Sequence, residues 1–410
     1  MIETPVEIEA PIVPNDRDDR RTRLRELAML FLRLGTVAFG GPAAHIAMME
    51  DEVVRRRRWV SHEAFLDMLG ACNLIPGPNS TEMAIHIGHR RAGFLGLAVA
   101  GTCFVVPAMA ITIAIAWAYV RFGSMPQVAG ALYGIKPVII AVVVQALWRL
   151  WPSAAHTRRL IVVTLAATAA ALLGFDEIVI LFATGLITIA LYFVDKHAQP
   201  RGGVAARAIA AIPALPATSS VARATAIAGV AVAPFSLGTM FLLFVKIGAV
   251  LFGSGYVLIA FLQADFVDRL HWLTRGQLLD AVAVGQFTPG PVFCTATFIG
   301  YLLGSSTGAI VATIGIFLPA FVFVAISGPL LPRLRRSPIA GAFLDGVNAA
   351  SLALMIAVTW DLGREAIIDL TTVTLAILSA VGLIRFRLNS AWLVLAGGLI
   401  GALLVNFRAQ

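Results

Sequence analysis

The residues best suited to chemistry surround two motifs, Pro76-Gly77-Pro78 and Pro289-Gly290-Pro291. Proline bars a continuous helix and glycine lets the backbone bend, so each motif predicts a break between two helices. A helix that begins after such a break presents free N–H groups and a partial positive charge, which suit an anion. The polar residues near the breaks are Asn73, Asn79 and Ser80 for the first motif and Gln286 and Thr288 for the second. Amides, hydroxyls and N–H groups with few carboxylates predict an oxyanion cradle and no metal site.

Three cationic residues lie inside apolar segments. Arg33 and Lys246 are as far apart in the sequence as the two Pro-Gly-Pro motifs, so they occupy equivalent positions in the two halves. Lys136 lies within 125–150, and its equivalent in the second half is Asn348. A cation in the middle of a bilayer costs roughly 2.5–3.5 kcal/mol, so it usually faces a cavity or a partner. We therefore predict that these residues line the anion site, where two or three cations would suit a dianion. For Arg33 the alternative is a side chain that extends to the membrane–water interface on the cytoplasmic side.

Four titratable residues in apolar context are candidates for carrying protons: Glu82, His86, Asp67 and Asp280. Glu82 follows the first Pro-Gly-Pro motif, and His86 lies one helical turn beyond it. A titrating group beside the site would couple proton movement to anion movement. The structural alternatives are a helix cap for Glu82, which has capping-box spacing with Asn79, and ion pairs with nearby arginines for the two aspartates.

The composition defines the class of protein that must position these residues. Of the 410 residues, 59% are apolar and 13% are charged, whereas soluble chains have roughly 45–50% and about 25%. Most apolar segments reach the roughly 20 residues that a membrane-spanning helix needs. These values predict a polytopic α-helical protein embedded in a lipid bilayer. They exclude nucleic-acid binding despite a net charge of +8, because the basic excess is mostly arginine in short loops.

An internal repeat organises the chain. Trp59 matches Trp272 at the spacing that separates the two Pro-Gly-Pro motifs, and Trp148 matches Trp360 at a spacing that is shorter by one. We predict four regions, namely a cytosolic tail (1–26), a first membrane repeat (27–194), a connector with an added crossing near 224–239 (195–239) and a second membrane repeat (240–410).

The distribution of arginine predicts that the two repeats have opposite orientations. In the first repeat, arginines are concentrated in the loops at 55–58, 90–91 and 149–159, and the equivalent loops of the second repeat hold few of them. The other loop shows the reverse, since it is arginine-rich only in the second repeat, at 333–336. Because arginine marks the cytoplasmic side, the N-terminus is expected in the cytoplasm and the repeats are expected to be inverted. Inverted repeats are typical of secondary transporters, whose substrate sites lie near the bilayer midplane.

Two further breaks, Gly40-Gly41-Pro42 and Gly253-Ser254-Gly255, precede the Pro-Gly-Pro motifs. Since the arginine clusters on both sides of each first-repeat segment should be cytoplasmic, we expect re-entrant hairpins that meet at the midplane, with kinked full-length helices as the alternative. Non-helical backbone at that depth survives only where it lines a cavity or is buried in protein.

Two runs in each half carry a family resemblance. FGGPAAHIAMMEDEVV and LIPGPNSTEMAIHIGHRRAG resemble the first half of the chromate ion transporter family, and KIGAVLFGSGYVLIAFLQADFV and GQFTPGPVFCTATFIGYLLG resemble its second half. The resemblance implies a two-domain protein of the bacterial inner membrane that exports chromate, driven by the proton-motive force. The four glycine- and proline-containing breaks carry over as the family's motif positions.

Three alternatives stay open for the function. Sulfate or another oxyanion could replace chromate, because both are tetrahedral dianions, and a passive anion channel could share the architecture. A membrane-embedded enzyme has little support, since the scattered histidines lack zinc-ligand spacing with a positioned carboxylate. We therefore predict no catalytic residues, no cofactor and no metal. The sequence leaves the oligomeric state open, with a homodimer as one candidate.

Overall fold

The computed structural model describes residues 20–39, 41–123, 125–198, 234–252, 255–327 and 337–408. Within these ranges the chain is helical, and five helices are long and apolar enough to cross a membrane. The first half contains α1 (Arg20–Val37), α2 (Gly41–Glu50), α3 (His62–Cys72), α4 (Asn79–Phe122), α5 (Pro126–Ala154), α6 (Arg158–Leu172) and α7 (Glu177–Ala198). The second half contains α8 (Leu237–Val250), α9 (Leu258–Leu262), α10 (Arg275–Phe287), α11 (Thr295–Ser327), α12 (Pro338–Ala366), α13 (Leu370–Ile384) and α14 (Ser390–Arg408).

The predicted repeat is present in the order and the bounds of these helices. Helices α12 and α13 have the same lengths as α5 and α6, and both follow their counterparts at the spacing that separates Trp148 from Trp360. A π-helical turn follows α2 at Asp51–Arg56 and another follows α9 at Gln263–Arg269, so even this rare geometry occurs twice. The predicted connector at 195–239, with its added crossing, falls largely outside the described residues.

Helices α4 and α11 each contain a sharp reversal that the sequence did not predict. The turns lie at Ala92-Gly93 and Gly304-Ser305, where Gly93 has φ +63° and Ser305 has φ +53°. At the first reversal the backbones before and after it touch, because a Cβ atom on Gly88 would lie 2.3 Å from the carbonyl oxygen of Gly96. We therefore divide the helices into α4a (79–91), α4b (94–122), α11a (295–303) and α11b (306–327).

Contacts around the first half confirm the re-entrant hairpins. Arg91 donates a hydrogen bond to Glu26 at 2.8 Å, and Arg57 and Arg91 both lie over the ring of Trp59, at 5.1 and 4.6 Å from its centroid. The start of α1, the end of the first π-helical turn and the end of α4a therefore lie together, on what we call the arginine-rich side. Gly35, by contrast, packs against the carbonyl of Phe104, well inside α4b. Each hairpin thus returns to the side from which it started.

The second half enters from the opposite side. Helix α4b starts on the arginine-rich side, and near its far end Tyr119 contacts Asp280 of α10 and the ring of Phe298 in α11a. Near the start of α4b, Gly101 packs against Phe321, which lies far along α11b. Helices α4b and α11b are therefore antiparallel, and the inverted orientation is confirmed.

The two halves are interlocked by exchanged helices. Helix α5 of the first half packs on α13 and α14 of the second, while α12 packs on α6 and α7. Small residues allow this close approach: a Cβ atom on Gly134 would lie 2.0 Å from the carbonyl oxygen of Gly397, and one on Gly346 would lie 2.4 Å from that of Thr184. Neither half therefore has its complete set of packing partners alone.

Candidate functional site

The helix breaks of the two halves are joined by a symmetric pair of backbone hydrogen bonds. Gly77 donates its N–H to the carbonyl of Leu251 at 2.8 Å, and Gly290 donates to the carbonyl of Ala38 at 2.9 Å. Leu251 and Ala38 are themselves repeat equivalents at the ends of α8 and α1. Each Pro-Gly-Pro break of one half is thereby bonded to the first break of the other half, and the breaks converge on one place.

Glycine is required at the two donor positions for steric reasons. Gly77 has φ +143° and Gly290 has φ +88°, in a region that L-residues rarely adopt. In addition, a Cβ atom on Gly290 would lie 2.7 Å from the Cβ atom of Ala108. The two inter-repeat hydrogen bonds therefore depend on Gly77 and Gly290, because any other residue type would strain the backbone there.

A cavity of about 540 Å³ lies where the breaks meet. It has room for a small anion with hydrating water, since water occupies about 30 Å³ per molecule in the liquid. The cavity extends along α5 as far as Arg149 and Ser153. Because α5 begins where α4b ends, the end of α5 that carries these residues faces the arginine-rich side. None of the lining residues is acidic. Its polar lining consists of Asn73, Asn79, Ser80, Gln145, Arg149, Ser153, Tyr256, Asn348 and Ser351.

The sequence profile described as Chromate transporter matches the chain twice, over residues 25–189 and 238–402. The chain belongs to the chromate transporter family. It is therefore a multi-pass membrane transporter, and the double match coincides with the two halves of the structure.

Curated relatives span nearly the whole chain. The chromate transport protein of Cupriavidus metallidurans is 31% identical over 380 residues, covering 92% of this chain and 92% of the relative. That of Pseudomonas aeruginosa is 33% identical over 383 residues, covering 92% and 91%. A probable chromate transport protein of Synechococcus elongatus is 29% identical over 360 residues, covering 87% and 89%. No solved structure matches the chain.

The structure brings some of the predicted residues of this chromate transporter family member to the cavity and leaves others elsewhere. Those that line it are Asn73, Pro78, Asn79, Ser80, Gly255 and Asn348. Those that lie in or near the breaks without lining it are Gly41, Pro76, Gly77, Gln286, Thr288, Pro289, Gly290 and Pro291. The hydroxyl of Thr288 is turned away, since it donates to the carbonyl of Val284 at 2.6 Å. Gly40, Gly253 and Ser254 lie outside the described residues.

The predicted cations do not line the cavity, and each is paired with a carboxylate. Lys246 lies 2.5 Å from Asp265, which Arg269 also contacts at 2.8 Å. In the same way, Arg33 lies 3.4 Å from Glu52. Glu52 and Asp265 are repeat equivalents and belong to the two π-helical turns. A search for acidic residues at the repeat spacing would have shown that Glu52 and Asp265 are equivalent, but not that they pair with these cations.

Lys136 is also paired, on the side opposite the arginine-rich side. Its Nζ atom lies 3.8 Å from a carboxylate oxygen of Asp280, and Tyr119 donates its hydroxyl to the other oxygen at 2.9 Å. This cluster joins two helices of the first half to α10 of the second. The sequence predicts a proton carrier or an arginine pair for this aspartate, whereas the structure pairs it with lysine. Asp67, the repeat equivalent of Asp280, is exposed.

Glu82 lies beside the first Pro-Gly-Pro break and is completely buried. Within the described part of the chain neither carboxylate oxygen has a hydrogen-bond partner, and α4 has no side-chain cap, so the helix-cap alternative is wrong. Its Oε1 atom occupies the space beside Gly77, 2.3 Å from where a Cβ atom would lie. His86, one turn along the helix, is also buried. An ionised carboxylate without partners is costly in such surroundings, and a bound proton removes that cost.

Sequence reasoning missed Arg149 as a cavity residue. The sequence pattern groups it with the loop arginines at 149–159, because the apolar run ends there. Helix α5 continues to Ala154, so Arg149 is still helical and lines the cavity. A helical projection of α5 that continued past its last apolar residue would have placed Arg149 on the same face as Gln145.

Proposed function

We propose that this protein exports chromate, a tetrahedral oxyanion dianion, from the cytoplasm, with the proton-motive force as the energy source. The observation that carries the proposal is the cavity at which the breaks of two inverted halves are hydrogen-bonded to each other. The names of the relatives from Cupriavidus metallidurans and Pseudomonas aeruginosa support chromate as the substrate.

The lining chemistry of the cavity fits an oxyanion. Asn73 and Asn79 hold each other through a 2.9 Å hydrogen bond between their side-chain amides, which fixes the beginning of α4a. Ser80 and Asn348 supply further neutral donors from the two halves. A desolvated dianion is stabilised by such donors and by one cation, and it is repelled by carboxylates, which this lining lacks.

The side to which the cavity extends fits export. The arginine-rich side is the cytoplasmic side under the positive-inside rule, so the cavity would receive its substrate from the cytoplasm. On the opposite side, the cluster of Lys136, Asp280 and Tyr119 ties the halves together. Alternating access would require this cluster to separate while the cytoplasmic end closes.

Glu82 is our candidate for proton coupling, with His86 beside it. Asp280 is already engaged by Lys136 and Tyr119. The carboxylate of Glu82 has no partner among the described residues, and Ser80, two positions before it, lines the cavity. Proton binding and release at Glu82 would change the charge directly next to the Gly77 hinge. In this proposal, movement of the break follows protonation of Glu82.

The test is uptake of labelled chromate into everted membrane vesicles, with and without an imposed gradient that makes the interior acidic. Export coupled to proton entry predicts uptake that rises with the gradient and falls when a protonophore is added. Uptake that follows only the chromate gradient and voltage would favour a passive channel. Stronger uptake of sulfate than of chromate would favour the alternative substrate.

A further inference from the structure

Helix α5 presents a polar stripe to the cavity near the arginine-rich side. Gln145, Arg149 and Ser153 recur at every fourth position, which places them on one helical face, and all three line the cavity. Gln145 donates to the carbonyl of Leu383 at 2.9 Å, and Ser153 donates to that of Leu150 at 2.8 Å. No carboxylate pairs with Arg149 anywhere in the described ranges. Its guanidinium therefore keeps donors available for a ligand.

The repeat places acidic residues at two of the three matching positions of the second half. The equivalents of this stripe in α12 are Ala357, Asp361 and Glu365, so an aspartate replaces Arg149 and a glutamate replaces Ser153. Because the halves are inverted, these residues lie toward the side opposite the arginine-rich side. Asp361 accepts a hydrogen bond from Gln263 at 3.1 Å. The position of Arg149 is thus basic in the first half and acidic in the second.

We propose that Arg149 captures the oxyanion at the arginine-rich end, and that the acidic positions of Asp361 and Glu365 weaken its binding from the other end. This inference rests on the proposed function. It adds a residue that selects the substrate and a reason why transport favours one direction. A guanidinium binds two oxygens of a tetrahedral anion through parallel N–H bonds, which an ammonium group cannot reproduce. Carboxylates near the same path repel the dianion, most strongly where water is excluded.

The experiment compares chromate uptake by the full-length protein in everted and right-side-out vesicles. In everted vesicles, which expose the arginine-rich side, Arg149→Gln should raise the KM for chromate about 10- to 100-fold, as expected for the loss of a charge-assisted hydrogen bond. Arg149→Lys should give an intermediate KM, because it keeps the charge and loses the fork. In right-side-out vesicles Arg149→Gln should change the KM little, and Asp361→Asn should lower it.

The matched control is Arg158→Gln, which removes an exposed arginine from the same side that does not line the cavity, and its KM should equal that of the wild type. An unchanged KM for Arg149→Gln or Arg149→Lys in everted vesicles would overturn the inference, and so would an equal rise for Arg158→Gln. If Arg149→Gln is absent from the membrane, Arg149→Lys and Asp361→Asn decide the question. Wild-type vesicles that take up no chromate would contradict the proposed function itself, before any variant is compared.

Discussion

At the scale of single residues, the buried carboxylate of Glu82 distinguishes the two halves most clearly. Its repeat equivalent is Thr295, whose hydroxyl donates to the carbonyl of Val292 at 2.8 Å. A threonine in this place satisfies its own polar atom, whereas Glu82 has no hydrogen-bond partner within the described residues. An unpaired group retained at full burial is costly, so its presence at the first break, and not at the second, points to function.

Glu82→Gln tests that role. Glutamine keeps the shape of the side chain but cannot gain or lose a proton, so we expect stimulation of chromate uptake by the pH gradient to disappear. Movement of chromate down its own concentration gradient should persist, because the cavity lining is unchanged. The control is Glu63→Gln, an exposed position in the first turn of α3. Gradient-driven uptake at the wild-type rate in Glu82→Gln would exclude Glu82 as the coupling group.

At the scale of elements, the inter-repeat hydrogen bonds depend on two glycines with positive φ. Gly290→Ala should lower the free energy of unfolding by about 1–3 kcal/mol, because alanine strains the backbone at that φ and its Cβ atom would overlap Ala108. Gly341→Ala is the matched control, since a Cβ atom there meets nothing within 4 Å. Thermal unfolding in detergent measures both variants. A melting temperature for Gly290→Ala equal to that of the control would show that the break tolerates a side chain.

The elements also show which features the sequence could predict. The breaks were predictable because proline and glycine interrupt a helix in any tertiary context. The pairing of Lys246 with Asp265 was not, because the repeat spacing identifies equivalent residues and does not show which side chains the fold brings into contact. Arg149 was missed because an apolar run marks where hydrophobic contact ends, and α5 continues past that point.

At the scale of the whole molecule, inversion and interlocking have a single consequence. Because α5 and α12 each pack on the opposite half, a movement of one half must displace helices of the other. Residues of both halves line the cavity. If the two halves exchanged their conformations, the cavity would open to one side of the membrane as it closed to the other.

Opposite labelling of two equivalent arginines tests the inversion. Arg56 and Arg269 are repeat equivalents, and both are exposed at the ends of the π-helical turns. In a background without Cys72, Cys103 and Cys294, we expect an impermeant thiol reagent to label Arg56→Cys only from the cytoplasmic face and Arg269→Cys only from the other face. Labelling of both from one face would contradict the architecture.

The position of the bound anion is the most direct test of the central claim that the converging breaks form the substrate site. Chromium scatters anomalously, so crystals of the protein with chromate would show the anion as a peak in an anomalous difference map. We predict one peak in the cavity, between Ser80 and Asn348 and within reach of Arg149. A peak beside Lys136 or Lys246 with an empty cavity would contradict the account.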